Sequence, residues 1–436
     1  MSIPYDAVVI GAGPAGSSAA ILLARAGWRV ALIEKQTFPR RKVCGECIAA
    51  SNLPLLDALG IGADIAASAG PALRQVVLMR AHQSVTAPLP AASFDGHRHG
   101  VAVGRETLDT RLLEAARRAG VQVFQPWAVE AIDGGPGDWT CGMRAVGSDQ
   151  RARLKARVAI DAHGSWEALS SARQARRAAH RSSDLFAFKA NFHGSTLAPG
   201  ALAVLAFDGG YGGMVLAGGG VTTVACCIRR DRLKSSRAQL PGLDAGEAVE
   251  AYLNQQCSGV RVALADARRD GPWLASGPIK PGIRVHGADE PFRIGNAAGE
   301  AHPIIGEGMS MALQSAWLLC GRLIDPAQRD RPPGSGRQHA IGAGLPIEWR
   351  RHFGWRLRLA SVFAHAAMRP GSAVMLMGLV QHWPGLLVAG ARWGGKITSA
   401  VDEGTVVSLS TTDGPSVERV RGAAARPSSR VFREET

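Results

Sequence analysis

The N-terminal stretch of this 436-residue chain, YDAVVIGAGPAGSSAAILLARAGWRVALIEK, constrains its fold more than any other segment. It predicts an apolar strand from Ala7 to Ile10, a glycine turn, a helix from about Pro14 to Ala26 and a second apolar strand from Val30 to Glu34. Two parallel strands joined by a helix form a βαβ unit, which belongs in an α/β sheet. With 46% hydrophobic residues, the chain is long enough to bury a large core and to form two domains, or one domain with large insertions.

The turn of this βαβ unit has the spacing of a nucleotide-binding loop. Gly11, Gly13 and Gly16 follow the pattern G-x-G-x-x-G, which allows a pyrophosphate to approach the backbone at the helix N-terminus. Glu34 closes the second strand, where a carboxylate accepts hydrogen bonds from ribose hydroxyls and disfavours a phosphate on that ribose. The turn therefore predicts FAD or NAD rather than NADP as the ligand. The alternative is a glycine turn with a purely structural role.

The remainder of the chain changes its pattern twice. Residues 184–228 predict antiparallel strands separated by glycine turns. An α/β pattern returns with a long helix from about Gly308 to Leu323. Residues 326–346 are rich in Pro and Gly and predict a linker to a basic, apolar, helical C-terminal region.

Five motifs narrow the choice of ligand. In chain order they are GAGPAGSSAA, FPRRKVCGECI, GRETLD, GYGGM and GNAAGEAHPIIGEGMSMALQSAWLL, spread over roughly residues 5–325. Together they resemble the geranylgeranyl reductase-like branch of the FAD-dependent aromatic hydroxylase superfamily, the p-hydroxybenzoate hydroxylase-type flavoprotein monooxygenases. The resemblance implies that FAD is the cofactor. It also implies that Arg105 and the late motif contact FAD.

The predicted FAD contacts come from the glycine turn, the end of the second strand, the loop after it, the GRETLD motif and the late motif. They are Gly11, Gly13, Pro14, Ala15, Gly16, Glu34, Lys35, Arg40, Lys42, Cys44, Gly45, Arg105, Asn296, Pro303, Gly306, Gly308 and Met309.

These patterns together predict an α/β fold. It consists of a Rossmann-type FAD-binding domain, an inserted antiparallel β-sheet substrate domain and a helical C-terminal region. The predicted bounds are 1–75, 100–170 and 275–330 for the discontinuous FAD-binding domain, 76–99 and 180–274 for the substrate domain, 340–400 for the helical region and 410–436 for a flexible tail.

The loop RRKVCGEC, residues 40–47, contains a Cys-x-x-Cys pair. The resembled family has Pro-Arg-x-Lys-x-Cys-Gly at this place, which assigns Cys44 to the cofactor loop. Cys47 is additional, and a redox disulfide with Cys44 stays open because the neighbouring cations favour a thiolate. No second Cys-x-x-Cys and no suitably spaced His pair follows, so we predict no metal site.

Two positions depart from the family pattern. His163 precedes Gly164 where the family has Asp-Gly, and Asn296 stands where it has the Asp of Gly-Asp. Asn296 can still hydrogen-bond a ribose hydroxyl. No second G-x-G-x-x-G lies in a βαβ setting. We therefore expect NADPH or NADH to dock transiently as the electron donor, or a partner to deliver the electrons.

The sequence also offers candidates for catalysis and for substrate binding. His302 lies in the predicted flavin loop, and the ordinary pKa of histidine suits acid–base work near neutrality. Its alternative is a loop histidine that faces solvent or backbone. The β zone is expected to form an apolar substrate floor, although each candidate there is more typical of core than of a substrate wall. The floor candidates are Phe186, Phe188, Phe192, Phe207, Tyr211 and Met214.

The charge and the cysteine content limit the partners and the cellular compartment that the sequence predicts. The formal net charge is +14, but the basic residues form no stripe interleaved with aromatic residues, which argues against a nucleic-acid partner. Seven cysteines without a signal peptide predict a reducing compartment, the cytoplasm. The apolar segment 371–395 is interrupted by His382 and Pro384 and is not expected to span a membrane. The basic residues 349–368 could lie on an anionic membrane surface or pack on the body of the protein.

Four hypotheses about function follow. The first is an FAD-dependent monooxygenase that inserts one oxygen atom into a small lipophilic aromatic or polyketide-like metabolite. The alternative is a flavin-dependent reductase of isoprenoid or other carbon–carbon double bonds. Halogenation is less favoured, because the chain lacks a Trp-x-Trp-x-x-Pro motif with a lysine placed after it. A non-enzymatic thiol sensor would need both Cys44 and Cys47 exposed at one site.

Overall fold

The computed structural model describes residues 4–94, 96–165, 181–285 and 287–410. Most of its strands belong to two large sheets. The strands are β1 Tyr5–Ile10, β2 Val30–Ile33, β3 Cys47–Ile48, β4 Gln75–Arg80, β5 Gln83–Pro88, β6 Val101–Ala102, β7 Gln122–Phe124, β8 Trp127–Gly135, β9 Asp138–Ala145, β10 Arg151–Asp161, β11 Leu185–His193, β12 Ala201–Phe207, β13 Gly210–Leu216, β14 Val221–Arg229, β15 Arg268–Arg269, β16 Leu274–Ser276, β17 Gly282–Ile283, β18 Phe292–Arg293 and β19 Gly299–Glu300.

The helices cover both sheets and form the C-terminal part of the described chain. They are α1 Pro14–Arg25, α2 Leu53–Ala58, α3 Gly62–Ser68, α4 Arg105–Arg118, α5 Arg230–Gln239, α6 Ala245–Gln256, α7 Ser258–Ala263, α8 Gly308–Leu323, α9 Ser335–Met368, α10 Pro370–His382, α11 Gly385–Trp393 and α12 Glu403–Ser410.

The first large sheet begins with the N-terminal βαβ unit. Its strand order is β7-β2-β1-β10-β9-β8, and β18 also pairs with β10. Strands β7, β2, β1, β10 and β18 run parallel, whereas β8 and β9 continue the sheet antiparallel. Helices α1, α4 and α8 cover one face, and side chains of β9 pack on the other. Because both faces of β1 and β2 are covered, these strands consist of unbroken apolar runs and do not alternate between apolar and polar residues.

The second large sheet has the order β15-β11-β14-β13-β12-β4-β5, and β16 also pairs with β11. Its pairs are antiparallel except for β4 and β12, which run parallel. One face packs on helices α5 to α7. The other face packs on α9 and α10. Successive residues of each strand point to opposite faces, so the same strands contribute to both packing layers.

The predicted fold class is confirmed, because the structure combines a Rossmann-type α/β unit, a largely antiparallel sheet and a helical C-terminal region. The predicted helix from Gly308 to Leu323 has those bounds in the structure. The linker prediction for 326–346 is wrong in its second half, because α9 begins at Ser335 and continues through Pro346. Buried residues on α9, among them Gln338 and Leu345, show that packing there overrides weak helix propensity.

Two further observations concern the C-terminal part. Among the described residues, no single helix is both long and apolar enough to cross a membrane; by length and composition only the pair α10 and α11, bent by 111°, would qualify together. The predicted tail at 410–436 lies outside the described residues except for its first residue.

Candidate functional site

A cavity of about 1550 Å³, counting its part that is open to solvent, is lined by loops of the first sheet and by strands of the second. Twelve of the predicted FAD contacts line it. These are Gly13, Pro14, Ala15, Lys42, Cys44, Gly45, Arg105, Asn296, Pro303, Gly306, Gly308 and Met309. The other five lie behind or beside this wall and do not line the cavity. These are Gly11, Gly16, Glu34, Lys35 and Arg40.

The glycine turn tolerates no side chain at two of its positions. Gly11 has a φ of +95°, and a Cβ atom there would lie 2.6 Å from the carbonyl oxygen of Ala162. A Cβ atom on Gly16 would overlap the carbonyl oxygen of Gly11. Helix α1 starts directly after this turn, and no described side chain caps its first residues. Its free N–H groups are therefore available to a phosphate.

The carboxylate of Glu34 is buried beside the glycine turn. One oxygen accepts a hydrogen bond from the Ala12 N–H at 2.9 Å, and the other accepts one from the Gln36 N–H at 2.9 Å. Glu34 thus ties the end of β2 to the turn. A carboxylate has about four lone-pair positions, so it can still accept from a ribose hydroxyl. Lys35, the next residue, is exposed.

Three cations surround the expected phosphate position. Arg105 donates from Nε and Nη2 to the two oxygens of Asp109, each at 2.8 Å. Arg40 lies 3.5 Å from Glu34 and 3.6 Å from Asp109. The Nε atom of Arg40 is buried and has no hydrogen-bond partner among the described residues. The third cation is Lys42. An uncapped helix N-terminus and a buried unpaired donor fit a phosphate-bearing cofactor.

The pKa of Lys42 is strongly perturbed. Burial, together with the neighbouring Arg105 and Arg40, lowers the pKa of Lys42 to about 8, against the opposing effect of Asp109 and Glu34. The side chain lies close to Gly164, where a Cβ atom would be 3.4 Å from Nζ. A cation that is crowded by other cations is stabilised by an incoming anion.

We expect the affinity of the flavin-free protein for FAD to fall by about tenfold as the pH rises from 7 to well above 8, because Lys42 loses its proton there and a charged hydrogen bond contributes roughly 1.5–3 kcal/mol. Over the same interval the free energy of unfolding of flavin-free protein rises, since the unfolded chain still holds the proton that the folded chain has released. FAD titrations followed by flavin fluorescence would measure the affinity. Lys42→Arg should make the FAD affinity nearly independent of pH over this interval. An equally steep pH dependence in this variant would show that Lys42 is not the group that titrates.

The late motif forms another part of the cavity wall. Asn296 donates to the Ser165 hydroxyl at 2.9 Å, and that hydroxyl donates to Glu300 at 2.8 Å. A short 3-10 helix, Pro303–Ile305, ends at Gly306, which has a φ of +62°. Helix α8 begins immediately afterwards, and no described side chain caps it. The loop therefore offers bare backbone N–H groups toward the cavity, as the electron-rich edge of a flavin requires.

Lys396 is a site residue that sequence reasoning missed. Its Nζ donates to the carbonyl oxygen of Gly306 at 3.3 Å and contacts the thiol of Cys47 at 3.7 Å and Glu307 at 3.7 Å. Burial opposes its charge, but Cys47 and Glu307 outweigh burial and raise the pKa of Lys396. No motif surrounds this lysine, and 349 residues separate it from Cys47, so only the folded chain reveals the contact.

The two cysteines of the Cys-x-x-Cys pair have different surroundings. Cys44 is half-buried, lines the cavity and accepts from the Glu46 N–H at 3.4 Å. Cys47 is buried, and burial raises the pKa of its thiol. Both are free thiols in the structure. The raised pKa disfavours the thiolate that a redox pair needs, although the two residues share one loop.

Glu46 and Lys189 form a buried ion pair that the sequence did not indicate. Each is 1% exposed, and the ammonium of Lys189 hydrogen-bonds the carboxylate of Glu46. The same carboxylate accepts from the Thr223 hydroxyl at 2.5 Å and from the Arg105 N–H at 2.9 Å. Glu46 has a φ of +55°, an uncommon conformation for a residue with a side chain. The pair joins the cofactor loop to β11 and β14 of the second sheet.

His302 is placed differently from the prediction. It is buried and does not line the cavity, although Ala301 and Pro303 do. Its Nδ1 lies 3.0 Å from the Tyr211 hydroxyl, with which it shares a hydrogen bond. Burial, with the neighbouring His365, lowers the pKa of His302 to about 4. The expectation of a pKa near neutrality is therefore wrong, and His302 is neutral at physiological pH. Its hydrogen-bond partner Tyr211 lines the cavity.

The substrate floor is built from fewer aromatic side chains than predicted. Phe188 and Tyr211 line the cavity. The other four candidates do not line it and pack in the apolar layer against α5 to α7. These are Phe186, Phe192, Phe207 and Met214. The floor itself consists mainly of small and apolar residues, namely Ala187, Leu202, Ala203, Val204, Gly212, Gly213, Val215, Ala225, Cys226 and Cys227.

His163, the departure from the family turn, hydrogen-bonds through Nδ1 to the carboxylate of Asp161. It does not line the cavity, whereas its neighbours Ala162, Gly164 and Ser165 do. Among the described residues, no group of three or more His, Cys, Asp or Glu side chains is arranged to hold a metal ion.

The chain belongs to the FAD binding domain family, which matches residues 4–271 and therefore more than half of the sequence. FAD is accordingly the cofactor that the cavity is built to hold. The glycine turn and the cations Arg40, Lys42 and Arg105 fit the phosphates of FAD, and the late loop fits its ring.

Curated relatives carry several different names. The chain is 28% identical over 346 residues to conditioned medium factor receptor 1 of Dictyostelium discoideum, covering 73% of this chain and 63% of that protein. It is 37% identical over 119 residues to menaquinone reductase of Mycobacterium tuberculosis, covering 27% of this chain and 28% of that protein. It is 25% identical over 329 residues to flavin-dependent halogenase armH3 of Armillaria mellea, covering 71% and 65%. The chain thus spans less than two thirds of each of these three relatives.

Solved structures share the fold at low sequence identity. The myxobacterial chondrochloren halogenase CndH superposes with a TM-score of 0.68 at 18% identity, covering 94% of this chain and 96% of that one. The flavin-dependent brominase Bmp2 gives a TM-score of 0.67 at 17% identity, covering 93% and 97%. Halogenase PltM, solved with phloroglucinol and FAD, gives 0.60 at 17% identity, covering 89% and 85%. These likenesses support the fold described here.

Proposed function

We propose that the protein is an FAD-dependent monooxygenase that inserts one oxygen atom into a small lipophilic aromatic or polyketide-like metabolite. The observation that carries this proposal is the two-sided cavity: loops suited to FAD form one wall, and a floor of small apolar residues faces them. Small side chains leave room for a flat substrate, and an apolar floor keeps water away from the reacting centre.

Bound FAD supplies the redox chemistry and the reaction with oxygen, and the protein supplies position and environment. Arg40, Lys42 and Arg105 hold the phosphates by charge. The uncapped N-terminus of α8 stabilises electron density on the ring edge. On the substrate side, Tyr211 lines the floor, and its hydroxyl hydrogen-bonds the buried His302. Burial raises the pKa of Tyr211 well above its ordinary value, so the hydroxyl keeps its proton and adds no charge to the floor.

The electron donor in this proposal is NADPH or NADH, bound transiently. The described part of the chain contains one glycine turn of the dinucleotide type, at Gly11 to Gly16, and in this proposal FAD binds there. A nicotinamide would therefore approach the flavin through the open side of the cavity, or a reductase partner would deliver the electrons.

Halogenation is the second candidate, and Lys396 is the observation that favours it. This cation lines the cavity next to the flavin loop, where its positive charge can attract a halide. The solved structures of similar fold are described as halogenases. Reduction of double bonds is less favoured; its support is the geranylgeranyl reductase-like motif order and the short match to menaquinone reductase.

One experiment separates these reactions. The purified flavoprotein is reduced chemically without oxygen, mixed with a pool of phenols, quinones and prenyl lipids, and then exposed to ¹⁸O-labelled oxygen with or without bromide. We expect a product that has gained one labelled oxygen atom and that forms equally well without bromide. A brominated product would move the assignment to halogenation. A hydrogen-enriched product formed before oxygen enters would establish a reductase and contradict the proposal.

A further inference from the structure

Helices α10 and α11, residues Pro370–Trp393, form a bent surface element that we call the C-terminal hook. Helix α10 is apolar on two faces. Its inner face buries Ala373, Met377 and Val380, while Met375 on the outer side is 72% exposed and Val374 is 58% exposed. A helix that is apolar all round is normally enclosed by protein or by lipid. The described residues provide no such cover for the outer face of α10.

Helix α11 leaves its apolar side chains even more exposed than α10 does. None of its residues, all of which are described, is buried, although GLLVAGARW is rich in apolar side chains. Trp383 before the helix is 62% exposed, and Trp393 at its end is 58% exposed. Tryptophan side chains with an apolar body and a polar N–H are typical of the boundary between hydrocarbon and lipid headgroups. The hook therefore offers two such anchors.

Charge indicates what covers this surface. From residue 349 to residue 401 the sequence has no Asp or Glu, whereas it has six arginines and one lysine. Arg369 and Arg392, at the two ends of the hook, are exposed. Apolar side chains flanked only by cations are complementary to an anionic lipid surface.

The geometry favours lying on such a surface over crossing it. Helices α10 and α11 have 13 and 9 residues and are bent by 111°. Each is shorter than the roughly 20 residues that a straight span needs. The inner face of α10 also packs in one cluster with β4, β5 and β13, so it cannot leave the body without exposing the core.

The hook borders the candidate site from outside. Leu376 of α10 and Leu387 of α11 belong to the same apolar cluster as Val43, Val204 and Ile304. These last three residues line the cavity. We propose that the C-terminal hook docks the protein on an anionic lipid bilayer, with Met375, Trp383 and Trp393 entering the interface. This proposal concerns binding and does not depend on which reaction the flavin performs.

The test is flotation of the flavin-loaded full chain with vesicles of phosphatidylcholine, with or without phosphatidylglycerol. We expect binding only to the vesicles that contain phosphatidylglycerol, and release by added salt. Arg369→Gln with Arg392→Gln should weaken binding by about 30-fold, since each basic residue near such a surface contributes roughly 1 kcal/mol. Trp383→Ser with Trp393→Ser should weaken it at least as much. Both variants should keep their flavin content and melting temperature.

A matched control uses the exposed pair Arg261 and Val262 on α7, far from the hook in sequence. Val262 is 65% exposed, close to the exposure of the hook residues, so Arg261→Gln with Val262→Ser should leave flotation unchanged. Three results would overturn the proposal: no flotation with anionic vesicles, flotation that the hook variants do not alter, or a concentration-dependent dimer without lipid binding that Trp383→Ser dissociates. The last would assign the surface to a second copy of the chain.

Discussion

Gly16→Ala should reduce the flavin bound per purified chain by at least tenfold. The new Cβ atom would overlap the carbonyl oxygen of Gly11 and crowd the side chain of Ala162 at 3.1 Å, within the turn that faces the FAD phosphates. Forcing a methyl group into a close-packed site typically costs about 1–3 kcal/mol, and relief here requires the turn to move away from the position that the pyrophosphate needs. The ratio of flavin to protein absorbance measures the effect directly.

The matched control is Gly344→Ala on α9. This glycine is exposed, and a Cβ atom there meets no atom within 4 Å. Alanine in a helix interior is favoured over glycine by roughly 1 kcal/mol, so this variant should keep its flavin and be slightly more stable. Circular dichroism of both variants distinguishes loss of the cofactor site from global unfolding. A folded Gly16→Ala protein with a full complement of FAD would refute the location of the phosphates at this turn.

Glu46→Gln should lower the free energy of unfolding by about 3–5 kcal/mol, the usual cost of leaving one member of a buried ion pair uncompensated. Glutamine keeps the size and one acceptor oxygen, but it leaves the ammonium of Lys189 buried without a counter-charge. Because this carboxylate also holds the Arg105 N–H and the Thr223 hydroxyl, the cofactor loop should loosen and bind FAD more weakly. Chemical denaturation of the flavin-free and flavin-loaded forms measures both effects.

A second variant separates charge from packing at this position. Glu46→Leu combined with Lys189→Met removes both charges and should be more stable than Glu46→Gln, since no uncompensated ammonium remains. For comparison, Glu114→Gln breaks an exposed pair with Arg111 at 3.0 Å and should cost at most about 1 kcal/mol. Equal, small effects of Glu46→Gln and Glu114→Gln would contradict the role of the buried pair in joining the cofactor loop to the second sheet.

Sequence alone predicted those parts of the site that depend on local backbone chemistry. Gly11 and Gly16 have fixed spacing within one turn, and Gly306 ends a short helical turn, so their patterns are visible in a few consecutive residues. The α/β class follows from the apolar runs of β1 and β2, which need cover on both faces. The resemblance to FAD-dependent hydroxylases added the cofactor, which the glycine spacing alone left as FAD or NAD.

Contacts between distant segments were not predictable in this way. Lys396 reaches Gly306 across 90 residues, and Lys189 reaches Glu46 across 143 residues. Neither lysine has a local pattern that distinguishes it from a solvent-exposed one. The pKa of His302 was misjudged for the same reason, because burial against Tyr211 and His365 is a tertiary property. The number of aromatic residues in the floor was overestimated, because the sequence of β11 to β14 does not show which side chains reach the cavity and which pack against helices.

The central claim is that FAD binds along the glycine turn with its ring between the Gly306 loop and the apolar floor of the second sheet. A crystal structure of the protein reconstituted with FAD tests it most directly. We expect the pyrophosphate over Gly11 to Gly16, Arg40 and Lys42 turned toward the phosphates, and the ring beside Pro303 and Gly306 facing Ala203 and Gly213. FAD bound with its ring outside this cavity, or with its phosphates away from the glycine turn, would contradict the account.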